Sequence, residues 1–187
     1  MGREDVIRGV FSEELNEISD PTLREKIVKI WVDAWNKSKW ENILRAMHPY
    51  LPGITLIEHT KAVFRGVKAL AKVFEEIHGV KINYDLLYAA ALLHDVSILL
   101  ESEESDSGVR FSKFGELIPH AVYGGHLVFK YDLPLELAHL VLSHTRFSAI
   151  EPKMIEGVIL HYVDYCDADV LRTSKGLEPF LLKEYRK

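Results

Sequence analysis

A single cysteine, Cys166, stands among 187 residues, so no internal disulfide can form and zinc sites built from several thiolates are excluded. No apolar run approaches the roughly 20 residues of a membrane span, and the opening MGRED leads into no apolar signal segment. A soluble, cytoplasmic protein with no membrane partner is expected. A basic surplus is lacking as well: 23 Lys and Arg face 28 Asp and Glu, a formal net charge of −5, with acid concentrated in ESEESD over 101–106. A stable nucleic-acid complex is therefore not expected, and a small anionic ligand would need a local basic patch or a metal. Period-2 alternation between hairpin turns is missing, as is any internal repeat, which leaves an all-α fold.

What is present is apolar sequence at helical period. At 48% hydrophobic residues the chain is too apolar for disorder, and its length suits one domain with a real core. Asp20 and Pro21 read as the cap and first residue of a helix lined by Leu23, Ile27, Ile30, Trp31, Ala34 and Trp35. Trp31 and Trp35, four apart, are core or interface residues, and exposed apolar positions on that helix would favour a homodimer. Ser38 with Glu41 offers a capping box for a further helical stretch before the break at HPYLPG over 48–53. Thr55 with Glu58 offers another, opening a helix that closes at Gly79. Helices are expected from about Asp85 to His94, near 116–130, over 134–144 and over 152–173, with a solvated loop over 101–108.

Within ALLHDVSILL, His94 and Asp95 sit side by side in an apolar run. A buried carboxylate costs several kcal/mol unless it neutralises, meets a cation or binds a metal. An Arg or Lys partner is the plainest resolution, but other polar groups lie in similar settings. His59 falls in the first turns of its helix, His120 follows a proline, His144 ends an apolar helix, and Asp164 lies within ILHYVDYCDA. His126 competes with His120; six residues apart, they point roughly 240° from one another around a helix. His139 faces another helix or solvent, His161 is a candidate partner of Asp164, and His78 beside Gly79 suits a helix C-terminus.

The order His, His-Asp, His, His, Asp resembles the HD-domain superfamily of metal-dependent phosphohydrolases, with AAALLHD before the dyad and DYCDA at the last aspartate carrying the likeness from about Thr55 to Ala168. The resemblance implies a compact helical bundle over 54–175, with a helical extension over 1–53 packed on it and a charged tail over 176–187. It further implies that His59, His94, Asp95 and Asp164 hold one divalent ion, Asp95 bridging to a second held by His120 and His144. His120 is preferred to His126 because its surroundings look more like the family's. Ligands of this kind suit Mn, Fe, Co, Ni, Mg or Zn, and a carboxylate bridge allows two ions about 3.5–4 Å apart to activate one water against phosphorus.

The expected substrate is a small phosphomonoester or phosphodiester, by resemblance that of a nucleotide. Many relatives carry Gly-Lys after the dyad where this chain has Val96, Ser97 and Ile98; Arg146, Lys113 and Arg65 are the candidates for contacting phosphate in its place. Two alternatives stand beside this reading. The same residue set resembles that of di-iron oxygenases related to the HD fold, and a catalytically silent helical binding module would also retain the pattern.

Overall fold

Capping chemistry sets the helices where the sequence places its polar punctuation. Residues 2–106 and 108–181 are described by the computed structural model; the part of the expected tail over 182–187 lies outside the described residues. Helix α1 (Arg3–Val10) and the short α2 (Ser12–Asn16) lead into α3 (Pro21–Lys37), whose cap Asp20 accepts the N–H groups of Thr22 and Leu23 at 2.7 and 3.3 Å. Asp85 locks the linker before it, accepting the Ser19 and Asp20 N–H groups at 2.7 and 3.0 Å. In α4 (Leu56–His78), Thr55 and Glu58 form the expected reciprocal box, and Gly79 ends the helix in the left-handed region at φ 65°.

Helix α5 (Tyr84–Leu93) is apolar all round, and every residue from Leu86 to Leu93 is buried, as a central helix requires. It packs against α3, α4, α8 (Leu135–Ser143) and α9 (Ile155–Ser174). Helix α7 (His120–Lys130) lies on α8, where Gly124 and Gly125 leave room for Val141 and Leu142; a Cβ at Gly124 would sit 2.8 Å from Val141 Cγ1. Gly66 does the same between α4 and α9, since a Cβ there would meet Val163 Cγ1 at 2.5 Å. One contiguous core runs from Ile7 in α1 to Leu160 in α9. Among the described residues no helix is long and apolar enough to cross a membrane.

Two expectations are corrected. The stretch over 101–108 is not a solvated loop. After the single turn α6 (Ile98–Glu101), β1 (Ser102–Ser105) pairs antiparallel with β2 (Gly108–Phe111), and Glu101, Ser102 and Glu103 are buried. Glu103 tolerates burial because Lys39 and Arg110 each reach it at 2.6 Å, partners that local composition does not reveal. Second, Ser38 closes α3 instead of opening another helix, and only a 3₁₀ turn, Ile43–Arg45, follows, capped by Asn42. Trp40 holds that segment down, its buried indole N–H donating to the Ser102 carbonyl at 3.0 Å. Trp31 and Trp35 are core residues, one of the two settings expected for them, with their N–H groups bound to the carbonyls of Leu92 and Trp40 at 2.9 and 2.8 Å.

Candidate metal centre

Asp95 follows the last turn of α5 and is 4% exposed. Its Oδ2 lies 3.4 Å from Nε2 of both His59 and His94, while its Oδ1 lies 3.4 Å from Nε2 of both His120 and His144. Asp164 on α9 adds Oδ1 at 3.0 Å from His59 Nε2 and 3.8 Å from His94 Nε2. Two groups result, His59 with His94, Asp95 and Asp164, and Asp95 with His120 and His144, each with its ligand atoms within 4.8 Å of one another. The fold sets each residue by a local feature. The capping box fixes the turn that bears His59, Pro119 precedes His120 at the start of α7, and His144 is the C-cap of α8.

The outer nitrogens are as ordered as the inner ones. Nδ1 of His59 meets Asp167 Oδ2 at 2.7 Å and Nδ1 of His120 meets Glu101 Oε2 at 3.0 Å. Those of His94 and His144 meet the Ala91 and Val141 carbonyls at 2.8 and 2.7 Å. Carbonyls and carboxylates accept, so these Nδ1 atoms donate, and each Nε2 is left facing the cluster as a metal ligand requires. Nitrogen and oxygen donors without thiolate, buried and converging, fit a divalent metal.

Burial alone would raise the Asp95 carboxyl, yet His94 and the bonds from His144, His48 and His59 hold it well below the usual range. Burial likewise opposes charge on His59, but Asp164, Asp167 and Asp95 overcome it and draw the imidazole well above its usual value. His120 is raised against burial by Glu101 and Asp95, whereas burial dominates at His144 and His48 and lowers both. A site that pulls a proton onto His59 in this way favours positive charge among the carboxylates, and a divalent cation bound there would release that proton.

The HD-domain family model matches residues 56–169, a span that contains all six residues of the two ligand groups. The chain belongs to the HD-domain family. Among curated proteins it is 33% identical over 126 residues to dihydroneopterin 2',3'-cyclic phosphate phosphodiesterase of Methanocaldococcus jannaschii, covering 66% of this chain and 49% of that one. It is 24% identical over 192 residues to the 3'-5' exoribonuclease YhaM of a Geobacillus species, covering 95% and 56%, and 27% identical over 150 residues to YhaM of Bacillus subtilis, covering 74% and 45%. The chain thus spans about half the length of these relatives. No solved structure gives a significant match.

The rest of the HD site shows what spacing concealed. His126 is exposed on α7 beside Tyr123, away from the cluster, which takes His120. His161 reaches the His144 carbonyl at 2.6 Å and not Asp164, and His139 accepts the Lys153 N–H at 3.0 Å. Val96, Ser97 and Ile98, directly after the dyad, are packed inside, Ser97 Oγ donating to the His120 carbonyl at 2.5 Å. Of the three candidate phosphate contacts, Arg65 pairs with Glu13 of α2 at 3.2 Å and the Lys113 side chain is 82% exposed near Glu116. Arg146 lies next to the site, its guanidinium over Phe147 and Phe180, between the cavity-lining Thr145 and Phe147.

Unforeseen members of the site are His48, Tyr50, Glu101 and Asp167. Asp167 was within view in DYCDA, three residues after Asp164 on the same helical face. The other three sit in or beside segments that composition marks as turn or loop. Above the cluster opens a small cavity of about 40 Å³, lined by His48, Tyr50, Leu51, Ile98, Phe147 and Phe180 besides the ligand residues. Tyr50 and Phe147 stack at 5.8 Å and 19°, with Phe111 edge-on to Tyr50 at 5.4 Å; Phe147 is 50% exposed and Phe111 41%.

Proposed function

We propose that this chain is a metal-dependent phosphohydrolase whose site holds two divalent ions and hydrolyses a phosphoester of a small, nucleotide-like substrate. The observation that carries the reading is the division of Asp95, one oxygen facing His59 and His94 and the other facing His120 and His144. Ions bound there supply Lewis acidity, polarising phosphoryl oxygens and making a neighbouring water acidic enough to react near neutral pH.

The chain's own residues do the remainder. Asp167, Glu101 and the two carbonyls keep the imidazoles turned inward, so no reorganisation accompanies the reaction. Leu51, Ile98 and Phe180 make a water-poor wall in which charge interactions are strong. Tyr50, Phe147 and Phe111 present ring faces and edges at the mouth, suited to a planar heterocycle. Arg146 is the candidate for the substrate's anionic end. The relatives named for a cyclic phosphate and for RNA both cleave phosphodiesters, and the net charge of −5 supports a small ester for this chain over a polymer.

The test couples elemental analysis to hydrolysis of mononucleotides, 2',3'-cyclic nucleotides and short RNA, with Mn, Fe, Co, Ni, Mg or Zn added and with EDTA as control. Two metal equivalents and EDTA-sensitive hydrolysis of the small esters are expected. Bound metal with no phosphoester cleavage would sink the reading, and iron with oxygen consumption would turn it to an oxygenase.

A further inference from the structure

Five imidazoles, not four, reach Asp95. The fifth is His48, buried, with Nε2 3.0 Å from Asp95 Oδ2, the shortest of the five approaches. It lies outside the span matched by the family model. What separates it from the others is the partner of its outer nitrogen.

In His59, His94, His120 and His144 that nitrogen faces an atom able only to accept, so it carries a proton, and Nε2 is the nitrogen whose lone pair a cation can take. In His48 the arrangement is reversed. Its Nδ1 receives the Tyr50 backbone N–H at 3.3 Å, and an amide N–H can only donate. Nδ1 therefore keeps its lone pair, the proton is on Nε2, and that N–H points at a carboxylate oxygen. An Nε2 that carries a proton has no lone pair for a cation.

The loop that bears His48 is braced to hold this geometry. Met47 bridges to Thr55, the His48 N–H donates to the Ile54 carbonyl at 2.9 Å and the Leu56 N–H to the Ala46 carbonyl at 2.8 Å. From α9, Arg172 donates to the Tyr50 carbonyl at 3.0 Å and Lys175 to that of Pro52. Tyr50 also ties the loop to the second ligand group, its hydroxyl donating to Glu101 Oε1 at 3.2 Å while Glu101 Oε2 takes His120 Nδ1–H. The hydrogen bonds thus run from His48 through Tyr50 and Glu101 to His120, with Asp95 facing both ends.

We infer that His48 is a positioning residue and not a metal ligand: its Nε2–H holds Asp95 Oδ2, so that the carboxylate keeps one oxygen turned to each ligand group. The torsion that orients an aspartate carboxyl is broad and two-fold, so an additional hold has something to restrain. This inference rests on the metal-centre reading above.

The experiment compares wild type, His48→Gln, His48→Ala and His144→Ala, each loaded with zinc, by elemental analysis, by titration calorimetry and by nitrogen-15 NMR of the imidazoles. The His48 variants are expected to keep the wild-type number of zinc equivalents, whereas His144→Ala loses one. Affinity should fall about 10–100-fold in His48→Ala, as for other residues that orient a ligand, and recover most of the way in His48→Gln, which retains a side-chain N–H. In the zinc-loaded wild type, His48 should show a proton on Nε2, and His59, His94, His120 and His144 on Nδ1. Loss of an equivalent that His48→Gln does not restore, or a His48 Nε2 without a proton, makes it a ligand and overturns the inference; unchanged affinity in a folded His48→Ala overturns the positioning role. Wild type that takes up no zinc fails at the metal centre itself and takes both readings down, a result distinct from either of those.

Discussion

A carboxylate as buried as Asp95 is tolerable only because imidazoles converge on both of its oxygens, and its loss should be felt in both ligand groups at once. Asp95→Asn is therefore expected to lose both metal equivalents, whereas His120→Ala and His59→Ala each lose one. Elemental analysis of folded protein checks this; an Asp95→Asn variant that retains one full equivalent would show that the two groups are not bridged. Asp167 acts at one remove, through Nδ1 of His59. Asp167→Ala should weaken metal affinity about 10–100-fold without changing the number of ions bound, as read by calorimetric titration. At this scale the sequence is a good guide where a residue sits on a periodic element: His59, His94, His120, His144 and Asp164 all flank apolar stripes. It is a poor guide to His48, which lies in a loop punctuated by Pro49, Pro52 and Gly53, 47 residues before the aspartate it touches. No periodicity carries information across such a loop.

Helix α7 starts at His120 and α8 ends at His144, so the packing of these two helices sets the spacing of the second ligand group. Gly124 and Gly125 are where their approach leaves no room for a side chain. In Gly124→Val the new Cβ would meet Val141 within 2.8 Å, and overpacking of this kind costs about 1–3 kcal/mol. Chemical denaturation should show that loss, and metal titration should show the ion of His120 and His144 weakened more than the other; equal weakening of both would mean that α7 and α8 do not set the site separately. Helix starts with side-chain caps, Asp20 alone and Thr55 in its reciprocal box with Glu58, are legible because the capping atoms are local in sequence. The hairpin over 102–111 is not, because Glu103 becomes a strand residue through Lys39, brought beside it only by the fold. The same holds for the segment pinned by Trp40, whose partner Ser102 is 62 residues away.

For the whole molecule, the cluster couples folding to pH in two opposed ways. His59 and His120 have folded-state values raised above the unfolded imidazole, about 6.5, so the stability they contribute is fully present below that pH and is lost as pH rises through their raised values. Burial lowers His48 and His144, so their penalty appears on the acid side, as pH falls below the same unfolded value. Asp95 and Asp164 are lowered too, and what they contribute is lost only in strong acid, as pH falls through their folded values. With chelator present, melting temperature should therefore pass through a maximum near the ordinary imidazole range and decline toward alkaline pH. A divalent metal reverses that decline. It competes with the protons on His59 and His120, so it binds more tightly as they leave, and a ligand of the folded state stabilises in proportion to the logarithm of its concentration over its dissociation constant. Melting curves from pH 6 to pH 9, recorded with EDTA and with added Mn, should diverge steadily, the metal-loaded protein gaining where the chelated protein loses. Parallel curves would mean that no cation displaces the His59 proton, and the cluster would then be a buried ion-pair network and not a metal centre.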